Sequence, residues 1–331
     1  MRFLYFTDTH ITNSTPSGRK DDFLNTQMKK MEEVILLSKE LKVDYVLHGG
    51  DFFDKPGATL KLGIEYSKIM REFDRPVFII AGNHDIYGQN PDSVNTAMLG
   101  LLEAVDLVKL IKENDEIILR EDGLKVQISG SPYRFDIDRG DRTAYYPKRL
   151  DEADYHIHMI HSYLLDKPFL DGIDFTLIED IMDTSADIVL SGHYHRGFKT
   201  KFINNKYFIN PGSLIRLTRG AEDLNRMPKV VLIELLPKGK SGNNITVEDI
   251  YLKTAKPVLE VFFEKEGKAM EERLAELKSF EALAGKNMEE NRYDFNKILE
   301  EMWNKEGFPK DILNEALIRI EKAQRDEINE S

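Results

Sequence analysis

The stretch Pro76-Val77-Phe78-Ile79-Ile80-Ala81-Gly82-Asn83-His84-Asp85 decides the architecture. Five apolar or β-branched residues read as a short buried strand, and the chain then turns abruptly polar through Gly82-Asn83-His84-Asp85. The same grammar recurs on both sides. Met1 to Thr7 is apolar and runs into Asp8-Thr9-His10, and Tyr45 to His48 runs into Gly50-Asp51-Phe52-Phe53-Asp54. Later come His161, after Tyr155 to Ile160, and Gly192-His193-Tyr194-His195, after Asp187 to Leu190.

Between these strands lie segments with helical periodicity. Arg19 to Lys42 carries Met28, Met31, Val34, Ile35 and Leu37 on one side, and Leu60 to Phe73 and Ser93 to Val105 are further helices. Alternating strands and helices imply a parallel sheet with right-handed crossovers, where ligands gather at the carboxyl ends of strands. Asp8, Asp51 and Asn83 fall at such ends. Farther on, Glu116 to Leu119 and Leu124 to Ile128 flank Asp122-Gly123, a hairpin signal, and a helix is expected around Phe175 to Met182. Strands at 199–203, 206–209, 230–236 and 245–252 then suggest an antiparallel half facing the parallel one.

Carboxylate, amide and imidazole donors without thiolate suit manganese, iron or zinc, and two such ions can clamp a phosphoryl centre. Two divalent ions are therefore expected, manganese first. Asp8 and His10, two apart on an extended loop, face the same way and could chelate one ion; His193 and His195 repeat that spacing.

The series D-x-H, G-D-x-x-D, G-N-H-D, a lone His and G-H-x-H, carried here by Asp8 to His195, resembles the calcineurin-like metallophosphoesterase superfamily. Its spacing and flanking segments, Gly130-Ser131-Pro132-Tyr133 and Tyr251 to Pro257 among them, are most similar to SbcD-type DNA nucleases. The resemblance implies a four-layer α/β/β/α sandwich with a small C-terminal helical appendage. It implies that Asp51 bridges both ions, that Asp8, His10 and His195 complete the first, and that Asn83, His161 and His193 hold the second. A hydroxide between the ions would be the nucleophile.

His84 is the candidate to protonate the leaving alkoxide or steady the phosphoryl oxygens. Asp85 either orients His84 or a neighbouring ligand, or caps its loop as an Asx turn. Asp54 is read as a cap or a supporting contact rather than a ligand; the archaeal and eukaryotic break-repair branch usually has His there. His156 and His158 share a strand face and could mimic a metal pair, but the strand end and the family pattern favour His161. His48 reads as structural. Asn210-Pro211-Gly212-Ser213 resembles the P-G-S turn of the family, and Ser213 is a candidate phosphate contact.

Composition bounds the rest. The 331-residue chain has no cysteine, which excludes disulfides and thiolate catalysis, and no apolar run long enough to span a bilayer. Its start is not a signal peptide, so a cytoplasmic location and no membrane partner are expected. The net charge of −12 argues against indiscriminate nucleic-acid binding. Residues 258–331 hold 19 acidic and 12 basic side chains, a net of −7, leaving −5 for the rest. Between Ile188 and Ala221 there is no acidic residue at all, while Arg196, Lys199, Lys201, Lys206, Arg216 and Arg219 stand there. That window is either a solvated face or an electropositive rim guiding a phosphate backbone to the metals, with Arg196, Lys199, Lys201 and Arg216 as candidate contacts.

A catalytic domain over 1–257 and a helical capping or partner-docking segment over 258–331 are expected, the latter with helices at 264–283, 293–303 and 310–327. Leu313, Leu317 and Ile320, near Trp303 and Phe308, could dock a partner or pack back on the sandwich. The expected function is a two-metal phosphodiesterase, a DNA nuclease of SbcD type in repair or recombination. Its partners would be DNA, an SbcC-like coiled-coil ATPase and, where it dimerises, a second copy of the chain. A cyclic-nucleotide or general phosphodiesterase is the alternative; a non-catalytic scaffold, free to lose ligands, fits less well.

Overall fold

The computed structural model describes residues 1–16, 18–168, 173–217, 226–237 and 244–263. Arg219 and the three expected tail helices lie outside the described residues.

Two six-stranded sheets face each other. In chain order the strands are β1 (Arg2–Phe6), β2 (Tyr45–His48), β3 (Val77–Ile79), β4 (Lys109–Leu110), β5 (Ile117–Glu121), β6 (Leu124–Ser131), β7 (Tyr155–Ser162), β8 (Leu164–Leu165), β9 (Thr176–Leu177), β10 (Ile188–His193), β11 (Lys201–Ile203), β12 (Lys206–Ile209), β13 (Lys229–Leu235) and β14 (Ile245–Tyr251). The first sheet runs β14-β13-β1-β2-β3-β4 and the second β11-β12-β10-β7-β6-β5, with β8 and β9 forming a small separate pair. β1 to β4 are mutually parallel, and β13 and β14 join antiparallel at the edge.

The second sheet corrects the expected antiparallel half. Its centre, β12-β10-β7-β6, is parallel, and only the hairpin edges β5 and β11 run the other way. Long excursions between β6, β7 and β10 give the chain room to cross over and return in the same direction. Because both sheets have parallel centres, both direct carboxyl ends of strands towards one edge of the sandwich.

Alternation along β1 shows how the layers are held. Phe3 and Tyr5 face Val126, Ile128, Ile157, Met159, Ile188 and Leu190 of the second sheet, and all are buried. Leu4 and Phe6 point the other way, into a cluster with Phe23, Met31, Val34 and Ile35 of α1 (Phe23–Glu40) and Leu62 and Tyr66 of α2 (Leu60–Met70). Each such side chain contributes about 1.5–3 kcal/mol when removed from water. α1 starts where Asp22 accepts from Asn25 N, and α2 where Thr59 accepts from Leu62 N. The outer face of the second sheet is covered by single turns, Thr143–Tyr145 and Ile178–Ile181.

Two expected helices differ. Over 93–105 the chain makes 3-10 turns at Pro91–Thr96, breaks at extended Ala97, and resumes as α3 (Met98–Ala104). Met98 N donates to Pro56 O at 2.8 Å, a tertiary bond that fixes the break. The segment expected as a helix at 175–182 instead pairs β9 with β8 before one turn, since Thr176 N donates to Tyr163 O. After the short helix α4 (Val258–Val261), Phe262 bridges to Arg19, whose guanidinium lies 5.1 Å from the Phe262 ring. Among the described residues no helix is long and apolar enough to cross a membrane.

Candidate metal centre

The carboxyl ends of β1, β2, β3, β7 and β10, with the loops that follow them, converge. Asp8, His10, Asp51 and His195 form one group of potential donors and Asp51, His161 and His193 a second, so Asp51 belongs to both. Asn83 joins the second, its Oδ1 3.2 Å from His161 Nε2.

The backbone that carries these groups is forced. Asp8, His10, Asp51 and His193 all have left-handed φ, of 53°, 42°, 53° and 74°. Non-glycine residues held there cost of order 1–3 kcal/mol each and persist only where surroundings over-determine them. Here the first loop is tied to the second by Asp8 N to Gly50 O, His10 N to Asp51 O and Ile11 N to Phe52 O, at 2.9–3.1 Å. His193 N in turn donates to the Asp8 carboxylate at 3.1 and 3.2 Å. Glycine is needed at Gly82, where a Cβ would stand 2.1 Å from Asp51 Oδ1.

Two of the donor side chains, His161 and Asp51, are aimed by a contact on their other side. His161 Nδ1 donates to Gly49 O at 2.8 Å, which points Nε2 at Asp51 Oδ2, 3.2 Å away. Asp51 Oδ1 accepts from His84 N at 2.8 Å, leaving Oδ2 buried without a hydrogen-bond partner and 3.6 Å from His10 Nε2. His10 Nε2 and His195 Nε2 face each other at 2.8 Å, with Asp8 Oδ1 3.9 and 3.6 Å from them. An orphaned carboxylate oxygen between two nitrogen-rich groups, with only O and N donors, fits a pair of divalent cations.

The electrostatics agree. Burial works to raise the Asp51 carboxyl, but the imidazoles of His161 and His10 hold it well below the usual carboxylate range. Burial works to lower His161, yet the Asp51 charge raises it to about 9. The field that draws a proton to His161 Nε2 is the field that would hold a cation, and binding one would displace the proton. Burial, with His161 adding to it, keeps His193 neutral far below its ordinary range, and burial takes His195 down to about 4. Neutral imidazole is the ligating form.

Around this centre the other sequence candidates take definite places. His84 donates from Nδ1 to Asp54 O at 2.8 Å and its side chain is 39% exposed, so Nε2 is the outward atom. Asp54 does not cap α2, which Thr59 does; its Oδ1 sits 3.6 Å from His10 Nδ1. The Asp85 carboxylate accepts from Phe52 N, Phe53 N and Gly82 N at 2.9–3.2 Å, stitching the loop after Asp51 to the turn holding Asn83. Burial and then the Asp51 charge raise it to about 6.

His48 accepts from Gly50 N and bonds Thr9 Oγ1, a buried brace beneath the two loops. His156 and His158 lie away from the donor groups and share the Ser129 hydroxyl at 2.7 and 2.9 Å. The basic window divides. Arg196 and Lys199 are exposed, Lys201 pairs with Asp166 at 3.0 Å, and Arg216 is buried, donating to the carbonyls of Arg226 and Lys256. Ser213 is also buried, its hydroxyl 2.9 Å from Asp8 O.

Sequence reasoning missed the aromatic wall of the site. Tyr163 packs edge-on to His193 with ring centroids 4.2 Å apart, and Tyr133 lies 5.5 Å from the same ring. Tyr163 follows His161 by two residues, the spacing that could have exposed it.

The family model described as Calcineurin-like phosphoesterase matches residues 1–197. The DNA double-strand break repair protein Mre11 of Methanosarcina acetivorans is 26% identical over 207 residues, 61% of this chain and 31% of that protein. Mre11 of Methanosarcina mazei is 28% identical over 207 residues, again 61% and 31%. The uncharacterized metallophosphoesterase YkoQ of Bacillus subtilis is 22% identical over 225 residues, 66% of this chain and 68% of that one. The chain thus spans under a third of the length of the two Mre11 relatives. With the matched segment running through the motif that supplies His193 and His195, this chain belongs to the calcineurin-like phosphoesterase family of metal-dependent hydrolases.

Proposed function

We propose that the chain is a two-metal phosphodiesterase that cleaves DNA, of the SbcD type, with manganese as the preferred ion. The observation that carries the reading is Asp51, a member of both donor groups, whose buried Oδ2 has no hydrogen bond. Asp8, His10, Asp51 and His195 would hold one cation, and Asp51, Asn83, His161 and His193 the other. When bound, such ions supply Lewis acidity at a phosphoryl oxygen and generate a nucleophile from water near neutral pH.

The chain's own groups do the rest. His84, its ring fixed through Nδ1 on the Asp54 carbonyl, presents Nε2 to hold or deliver a proton at the leaving oxygen. Asp85 positions the backbone on either side of Asp51 and Asn83 without facing solvent. Arg196 and Lys199 steer a phosphate backbone from the rim, where they are exposed. The proposed organisation is a catalytic domain over 1–257 and a capping or docking segment over 258–331.

DNA as substrate is supported by two relatives whose names describe double-strand break repair, and by that likeness an SbcC-like coiled-coil ATPase is the proposed partner. The test is manganese-dependent hydrolysis of single- and double-stranded DNA, beside cyclic AMP and a chromogenic phosphodiester. Cleavage of DNA supports the reading. Turnover of cyclic AMP or the small diester with DNA untouched would replace it with a small-molecule phosphodiesterase.

A further inference from the structure

Beside His193 the surface sinks into a cavity of about 240 Å³ walled by Tyr133, Phe135 and Tyr163, with Arg139 at its rim. His193 belongs both to this wall and to the second donor group, so the cavity opens directly onto the proposed metal centre. We propose that this recess is a nucleobase subsite that stacks the base next to the scissile phosphodiester. The proposal rests on the phosphodiesterase reading and names the part of the substrate that the site grips.

Three observations support it. The walls are aromatic where a phosphate-binding surface would be basic: Tyr163 and Tyr133 lie edge-on or tilted against His193, with centroids at 4.2 and 5.5 Å. Phe135 is 55% exposed, a large apolar ring that the core does not use, and the Arg139 guanidinium lies 4.0 Å from its centroid. A ring flanked by a guanidinium is a stacking platform for a flat π-system. Arg139 is itself held, its Nε 2.6 Å from Asp174 Oδ2.

The wall is also preorganised. Asp138, largely buried, accepts from Tyr163 N at 2.8 Å, from Thr176 Oγ1 at 2.9 Å and from Tyr145 Oη at 2.5 Å. One carboxylate thereby fixes the backbone of Tyr163, and with it the ring against His193. Stacking on such rings is sequence-tolerant, because every base has a π-face.

The experiment compares two esters on the full chain with manganese: the p-nitrophenyl ester of thymidine 5′-monophosphate, and methyl p-nitrophenyl phosphate, which lacks a base. Phe135→Ala should lower the ratio of kcat/KM between them about 5- to 100-fold, the span expected of one lost stack, and chiefly through KM. Phe135→Trp should restore the ratio. An unchanged ratio, or one that Trp fails to restore, overturns the subsite. Calorimetric titration with thymidine 5′-monophosphate against deoxyribose 5-phosphate reads the same contact without turnover. If neither ester is hydrolysed, the phosphodiesterase reading fails alone. A nucleotide that then binds no tighter than the sugar phosphate, or a Phe135→Ala variant that binds it equally well, sinks the subsite too. Competition by oligothymidylate against cyclic AMP shows whether the base comes from a strand or a free nucleotide; insensitivity of both to Phe135→Ala also overturns the proposal.

Discussion

His10 and His195 meet nitrogen to nitrogen, Nε2 to Nε2 at 2.8 Å, although they lie 185 residues apart in the chain. Two imidazole lone pairs at that distance repel unless a proton or a cation lies between them. Asp8 stands close to both, and this corner of the site is therefore built to be shared.

Removing one of the pair should remove a metal. His195→Ala is expected to retain one of two divalent ions per chain, counted by elemental analysis after dialysis; two retained ions would contradict the assignment. Stripping the wild type with chelator should lower Tm, because a ligand at about 100 times its Kd adds roughly 2.7 kcal/mol to the native state. Restoring manganese should restore Tm.

His84 tests chemistry apart from binding. Substituting Ala should lower turnover about 10²–10⁴-fold, the range of a general acid, with both ions retained. Metal loss, or near-normal turnover, would reassign the residue.

Asp85 tests the stitching of the two loops. Asp85→Asn keeps one acceptor oxygen but puts an NH2 against a backbone N–H, and should cost about 2–3 kcal/mol in denaturant unfolding. Gly82→Ala should be worse for metal occupancy, since its Cβ would enter the space of Asp51 Oδ1. Normal ion content in the Ala variant would show that the turn can shift.

The basic window should split by burial. Lys199→Glu is expected to weaken DNA cleavage and flatten its salt dependence, with little effect on a small diester. Arg216→Ala should instead lower stability, because the buried guanidinium holds the carbonyls of Arg226 and Lys256. Equal losses on both substrates for Lys199→Glu would remove it from the rim.

His158 gives a pH dependence outside the metal groups. Burial takes it to about 4 in the fold, against an ordinary 6.5. The unfolded chain therefore binds more protons between these values, so stability is fully present above pH 6.5 and is lost as pH falls towards about 4. Urea unfolding at pH 7, 6 and 5 should show a slope that His158→Gln flattens by up to about 1.4 kcal/mol per pH unit. An unchanged slope would mean that the ring is already charged.

Strand positions were legible because short apolar runs bounded by turn residues have few alternatives. Tyr45–His48 coincides with the reading from sequence, and β3 lies within it. The break at Ala97 was not legible, since the bond that fixes it runs from Met98 N to Pro56 O, far upstream in the chain. Sheet membership was misread for a related reason: β11–β12 and β13–β14 pair antiparallel as expected, but β13 and β14 join the first sheet and the second is parallel at its centre, because spacing tells where strands are, whereas partners decide their place.

By itself the sequence named the candidate donors, because ligating chemistry is a property of residue type and the motifs place each one at or just after the end of a strand. It also separated His161 from His156 and His158, by its place at the strand end. Only the tertiary structure decided which atoms face which. Left-handed φ at Asp8, His10, Asp51 and His193 is imposed by hydrogen bonds between loops distant in the chain. The same packing buried Arg216 and Ser213 while leaving Lys199 in solvent, and brought Tyr133 and Tyr163 against His193. A side chain's charge or ring is written in its residue, but its neighbours are set by how two sheets pack.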